Sequence, residues 1–456
     1  MRKAAAETSP LLGWVYEGVA RDETDLLQLL AENEGKRPSF YWEHPEQGEA
    51  VLGLGAVERF VFSGPTRLTE ARVAVETLAE RCAAGPDHDR ECPGPVVVGG
   101  FSFSPTHEPV GMWREFPACS FVLPEEIWVR TKGRTWRITI RAAQPVFGDA
   151  SGDGCLLARQ AHAAVAARSS ETGAQAHAGP RVSTSGSATD EARVARWTGR
   201  VERALEKVKS GVLVKVVLAR KAERTLTADF DSVVTLRTLR ARRPQCFTFR
   251  VAPCETVFFG STPELLVRVV GNEVETHALA GTTGRGATPA SDRASAQALL
   301  ASAKNRYEQD VVARDLVSTL APVAERVDAD SEPRILSVPE AHHLMTPVQA
   351  RLREPLGALA VAERLHPTPA TCGIPRREAG ALIDAEERDR GWYTGAVGWL
   401  SPNGDGAFAV ALRSAVIDSG RLVAWAGAGI VAASNPAEEF AETELKLRAV
   451  LGALGV

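Results

Sequence analysis

A chain of 456 residues with 44% hydrophobic and 24% charged side chains has the balance of a globular protein, with length for one large domain or two to three ordinary ones. Its net charge of −4 is spread over both signs, so no basic stripe argues for nucleic acid, and no window reaches about 18 apolar residues for a membrane span. Seven scattered cysteines with no C-x-x-C pair argue against a disulfide framework or zinc site, and residues 1–18 lack a signal-peptide core, so a cytoplasmic enzyme is expected.

Residues 10–143 mix short strand-like pieces at 50–54, 95–100 and 136–140 with a helical stretch near 68–83. The stretch 145–190 is rich in Ala, Gly, Ser and Thr, with one apolar-periodic piece near 155–167; 168–190 reads as a mobile linker or loop. From Glu191 the pattern sharpens into a helix over 191–209, with Val194, Trp197, Val201, Leu205 and Val208 at helical spacing. Strand-like runs follow at 212–219, 247–252, 256–260, 264–270 and 274–279, then helices over about 291–327, then a strand pair at 407–417 and 421–426. Runs of strands with long helices between them predict an α+β fold with large antiparallel sheets.

Several of these elements carry polar groups where a core does not want them. Lys215 interrupts a run of aliphatic residues; it either faces solvent from a two-faced strand or is desolvated, which would lower its pKa toward that of a general base. Glu264 follows a proline and precedes Leu265 and Leu266, and a carboxyl group in apolar surroundings can serve as a proton donor. Residues 279–286 (LAGTTGRG) form a glycine-rich turn able to present amides to an anion, without the lysine of a nucleotide-binding loop. Glu308 is a possible metal carboxylate on a helix, His342 and His343 precede a strand-like segment, and Arg413 lies within a strand where its fork suits a carboxylate. Each is also compatible with an ordinary surface or structural role.

The segment 422–447 concentrates three such features. An apolar run ends in Gly427-Ala428-Gly429, breaks at Ser434-Asn435-Pro436, and opens a helix with Glu439, Glu442 and Lys446 on one face. Glycine amides and a helix start suit an anion, two carboxylates suit Mg²⁺, and a lysine one turn on could hold a substrate carboxylate.

Taken in order, Lys215 in KVVLAR, Glu264 in STPELL, LAGT at 279–282, Glu308 in KNRYE, HLMTP at 343–347, HPTPATCG at 366–373, YTGAVG at 393–398, Arg413, GAGIV at 427–431 and ETELKL at 442–447 closely resemble the chorismate-utilising enzymes. That family includes isochorismate, salicylate, anthranilate and aminodeoxychorismate synthases. The resemblance is dense over 195–450 and weaker earlier, where GGFSFSP at 99–105 and FVLPE at 121–125 look like the isochorismate synthase branch. It implies two large antiparallel sheets packed together and wrapped by helices, with the site in a cleft between them. Residues 1–190 would be the N-terminal part of that fold, ending in a flexible loop, and 191–456 the chorismate-binding catalytic region, the two forming one structural unit. It further implies Mg²⁺ on Glu308 and Glu442 with Glu439 nearby. The substrate would meet Arg413, Lys446, Gly281, Thr282 and Gly427, with His343, Ala370 and Tyr393 in the same pocket.

Within the family, Ala280 stands where one type of aminodeoxychorismate synthase carries a nucleophilic lysine, so covalent amine attack is excluded there. Lysine at 215 with alanine at 370 is the pattern of the water-using branch. The implied reaction is isochorismate formation, with Lys215 as the base toward water and Glu264 as the acid toward the departing C4 hydroxyl. The alternative is a salicylate synthase, which goes on to eliminate pyruvate; Tyr393 occurs in both branches. The expected partner is chorismate alone, with no glutaminase subunit, nucleic acid or membrane, and the expected state a monomer.

Overall fold

The strand-forming runs pair antiparallel throughout, in a computed structural model that describes residues 12–19, 24–82, 92–142, 190–227, 230–387 and 390–454. Eleven strands make one sheet, in the order Leu12–Val19, Arg134–Ala142, Glu126–Thr131, Glu49–Leu54, Ser39–His44, Phe247–Ala252, Val257–Thr262, Ser414–Asp418, Arg421–Ile430, Lys215–Thr225, Gly373–Ile374. Ten make the other: Ala324–Ala329, Ala341–Leu352, Glu273–Gly284, Leu265–Val270, Gly406–Val410, Ala396–Leu400, Val97–Phe101, Cys119–Leu123, Glu58–Phe62, with Arg334–Ser337 also paired to Ala341–Leu352. This is the α+β architecture expected from the sequence.

The sheets bury their inner faces against each other. Trp42, Phe249 and Phe258 from one meet Phe101, Phe121 and Phe408 from the other in a single apolar core. Both strands Ser39–His44 and Phe247–Ala252 are buried along their whole length, because the outer face is also covered, by the helix Leu26–Asn33 with Leu27 and Leu30 and the helix Ser232–Arg242 with Leu236 and Leu239. Neither strand is an unbroken apolar run, because Ser39, Glu43, His44, Thr248 and Arg250 are buried within them. The helix Asp190–Lys209 buries Trp197, Val201, Leu205 and Val208 as its spacing predicts, while Val194 stays exposed. Among the described residues no helix is long and apolar enough to cross a membrane.

Four expectations change. The helical region over 291–327 is two helices, Pro289–Ala301 and Ala303–Leu320, followed by the strand Ala324–Ala329; Ser302 leaves helical geometry and its hydroxyl caps the second helix at Asn305 N. The 279–286 turn is the end of the strand Glu273–Gly284, with a bulge between Ala280 and Thr282 where Gly281 takes φ +71°. His342 and His343 lie inside the strand Ala341–Leu352. The strand expected over 407–417 is two strands in different sheets, so Arg413 sits in the crossover, with φ 47°. The linker expected at 168–190 and the piece at 155–167 lie outside the described residues, apart from Asp190.

Candidate active site

The chain changes sheets twice at one place, and both switch points carry a charged side chain. Val257–Thr262 belongs to the first sheet and Leu265–Val270 to the second; Pro263, which has no N–H to give a ladder, and Glu264 lie between. Gly406–Val410 crosses back to Ser414–Asp418 through 411–413. The crossovers are tied to each other: Val410 N donates to Glu264 O at 3.0 Å, and Ser261 N to Arg413 O at 3.2 Å. Arg413 is a non-glycine residue in the left-handed region, a conformation that surrounding structure has to enforce.

Burial dominates the electrostatics here. Glu264 is 4% exposed, and burial raises its carboxyl to about 7 although Lys215, Arg413 and Lys446 and a hydrogen bond from Thr368 pull the other way. Burial, helped by Arg413, pushes His343 well below its ordinary value, so the ring is neutral. The Arg413 guanidinium lies 3.3 Å from His343 Nε2 and can only donate. The ring proton is therefore on Nδ1, 3.1 Å from Thr282 Oγ1, which leaves the threonine's own O–H free to donate.

The opposite wall pairs its charges. Lys215, 1% exposed, places Nζ 2.8 Å from Glu308 Oε1; the angles fall outside hydrogen-bond geometry, so this buried ammonium has donors left over. Burial alone would raise Glu308, but Lys215, Lys446 and Lys304 hold its carboxyl below the usual range. A Cβ at Gly429 would overlap Glu308 Oε1 and come within 2.9 Å of Lys215 Cε, so only glycine lets the two groups meet there. Lys446 bonds Glu442 Oε1 at 2.5 Å and Gly427 O at 2.9 Å. Gly427 lies beyond Ala424, the last residue paired to Ser414–Asp418, and in a strand the N–H and C=O of one residue point the same way. The Gly427 amide therefore faces the open edge beside its carbonyl.

The helix start next to it is closed as an anion site, contrary to expectation. Helix Pro436–Leu451 is capped by its own Asn435, whose side chain accepts from Ala437 N and Glu438 N. Glu439 is buried against Lys304 at 2.8 Å, its carboxyl raised by burial and by Glu442.

A cleft of about 580 Å³ joins these groups: Glu264, Gly281, Thr282, Glu308, His343, Ala370, Tyr393, Arg413, Gly427, Glu442 and Lys446 all line it, with Ala280. Lys215 sits behind Gly429, and Glu439 on the far side of its lysine. Val217, Pro263, Leu279, Thr371, Thr394 and Leu412 complete the wall and went unassigned in the sequence, with Gly429 from the expected glycine cradle. Val217 could have been found, because it is two residues from Lys215 on the same strand face. A second cleft, about 450 Å³, is bounded by Phe40, Val98, Val122 and Trp392 and has only Arg59 and Glu115 as charged groups.

Among the described residues no three His, Cys, Asp or Glu side chains form a metal centre by themselves. The two carboxylates that line the cleft, Glu308 and Glu442, fit a different arrangement, in which Mg²⁺ takes one or two protein carboxylates and completes its oxygen shell with water and substrate.

The profile of the family described as "Chorismate binding enzyme" matches residues 4–455. The chain is 34% identical over 437 residues to a Pseudomonas aeruginosa protein named salicylate biosynthesis isochorismate synthase, covering 95% of this chain and 88% of that one. It is 30% identical over 427 residues to isochorismate synthase MenF of Bacillus subtilis, covering 91% and 88%. The solved structure of MenF, the menaquinone-specific isochorismate synthase from Escherichia coli, superposes with a TM-score of 0.76 at 26% identity, over 98% of this chain and 95% of that one.

Proposed function

The chain belongs to the chorismate-binding enzymes, and from that membership we propose that it is an isochorismate synthase, an isomerase that adds water at C2 of chorismate and releases the C4 hydroxyl. The observation that carries the chemistry is the contrast of a buried carboxyl raised to about 7 at Glu264, in the cleft lining, and a buried lysine at Lys215 just behind Gly429 in the same wall. Once Lys215 has given up its ammonium proton to solvent, its neutral amine takes a proton from water, the hydroxide bonds to C2, the ring double bonds shift, and the C4–O bond breaks as Glu264 gives that oxygen its proton. One water is consumed and one released, and the two side chains then return to their starting states by proton exchange.

The remaining groups bind and orient. Arg413 and Lys446, with the Thr282 hydroxyl and the Gly427 amide, suit the substrate carboxylates. Glu308 and Glu442 would hold Mg²⁺, with Glu439 and Lys304 behind them. The ion, when bound, neutralises the ring carboxylate. We read residues 12–142 and 190–454 as one structural unit, working as a cytoplasmic monomer with no glutaminase subunit, nucleic acid or membrane partner. Purified protein incubated with chorismate and Mg²⁺ should accumulate isochorismate, followed by chromatography. Absence of that product defeats the reading, and salicylate fluorescence in its place would establish pyruvate elimination in the same site.

A further inference from the structure

Among the described residues, the strand that carries Lys215 has almost no ladder neighbour on its outer edge. Gly373–Ile374 pairs only with Lys215 and Val216, leaving the next residues without a ladder on that side. Buried backbone groups without partners are costly, so something must take them up. Val217 N is met by Cys372 O at 2.8 Å. Val217 O accepts from Arg390 NH2 at 2.7 Å, and Ala219 N donates to Glu387 Oε1 at 2.6 Å. An arginine and its glutamate thus stand where a further strand would be.

Arg390 is 3% exposed, and every donor of its guanidinium is used. Nε and NH2 fork onto Glu387 at 2.7 and 3.0 Å, NH2 also reaches Val217 O, and NH1 reaches Thr371 O at 2.8 Å and Thr394 Oγ1 at 3.4 Å. Its planar face lies over the Phe103 ring, 4.7 Å from the centroid. Val217, Thr371 and Thr394 all line the cleft and come from three separate segments. Thr394 is itself held at φ 61°, in the left-handed region. Neither Arg413, Lys446 nor the bulge at Gly281 is touched by this fork.

We infer that Arg390 is a positioning residue for the reaction, fixing the wall that carries Lys215 relative to the wall that holds the substrate. The inference rests on the reading of Lys215 as base. Lysine cannot replace it, because one nitrogen with three donors cannot span a carboxylate and two carbonyls in different directions. Arg200 provides the control. It is a second arginine on Glu387, at 3.0 Å, but its backbone acceptor is Ala219 O, outside the cleft lining.

The test compares steady-state kinetics of Arg390→Lys and Arg200→Lys on chorismate with Mg²⁺, after circular dichroism has shown both folded. Arg390→Lys should lose about ten- to a hundredfold in kcat with KM within about threefold, since misplacement by an ångström costs that much, while Arg200→Lys keeps kcat within about twofold. If Arg390→Lys does not fold, Glu387→Gln should give a smaller fall in kcat at unchanged KM. Unchanged kcat in the folded variant, equal losses in the two arginine variants, or a KM that rises in step with the loss of kcat would overturn the assignment. Wild-type protein that makes no isochorismate, or a fully active Lys215→Ala, would instead defeat the functional reading and the inference with it, whereas an active wild type with an inactive Lys215→Ala and an unimpaired Arg390→Lys defeats the inference alone.

Discussion

Glu264 and Glu308 are both shielded carboxyls on the same cleft, and burial pushes both upward, yet they end on opposite sides of the ordinary value. Glu308 has Lys215 at 2.8 Å and stays an anion; Glu264 has cations in the neighbourhood but, among the described residues, no lysine or arginine ion pair, and rises to about 7. Burial alone therefore does not say what a carboxyl will do. A direct ammonium contact decides it, and one fold can keep an anionic and a near-neutral carboxyl within one cavity by granting that contact to only one of them, which is the difference the proposed metal-binding and proton-donating roles require.

The largest effect expected from breaking this contrast is at Lys215. Lys215→Ala should lower turnover by about 10²–10⁴-fold while equilibrium chorismate binding persists, and substantial residual turnover would remove it from the mechanism. Glu264→Gln keeps shape and removes the proton; turnover should fall by a comparable factor, about 10²-fold or more, with KM little changed. Chelation should abolish turnover reversibly on adding Mg²⁺ back, and Glu442→Gln should raise the Mg²⁺ concentration needed for half-activity; an unaltered requirement would argue against Glu442 as a ligand. More modest is the pH dependence. An acid with a pKa of about 7 is lost as pH rises through that value, so kcat/KM should show a descending limb near 7 that Glu264→Gln lacks.

The smallest effect is on stability. A carboxyl whose pKa rises from 4.5 unfolded to about 7 folded binds its proton more tightly in the native state. Its contribution is intact below 4.5 and is lost as pH climbs through 7, amounting to roughly 3 kcal/mol at most by pH 8. Glu264→Gln should therefore melt higher than wild type at pH 8 and about level with it at pH 4.5. Equal melting temperatures at both would mean that the carboxyl is not strained in the fold.

Much of the site was legible because its parts are short and local. Lys215 inside an aliphatic run, Glu264 after a proline, and the glycine-rich stretch around Gly281 announce themselves within a few residues, although the last was read as a turn and is a bulged strand end. The antiparallel α+β architecture also followed from strand runs and helix spacing. What could not be read were relations between distant segments. The 407–417 run looks like one strand because apolar periodicity carries no mark of which sheet it joins, and the switch at Arg413 appears only once Gly260 and Ser261 are packed beside it. The helix start at Pro436 looks like an anion site until its own Asn435 is seen to use the amides. Arg390 was invisible because its acceptors come from Val217, Thr371 and Thr394, three segments separated by more than a helix each.

The pairing of Ser39–His44 with Phe247–Ala252 has a consequence for dividing the chain. Both strands are covered along their length, with Phe40, Tyr41, Trp42, Phe247, Phe249 and Val251 buried, and each supplies the other's ladder from Ser39↔Ala252 to Glu43↔Thr248. Cutting the gene between Ala142 and Asp190 would give two polypeptides, each displaying a long hydrophobic sheet edge of the sort that drives aggregation. Expressed apart they should be insoluble, and expressed together they should complement. The enzyme is thereby a natural scaffold for a split reporter whose signal depends on two fragments meeting.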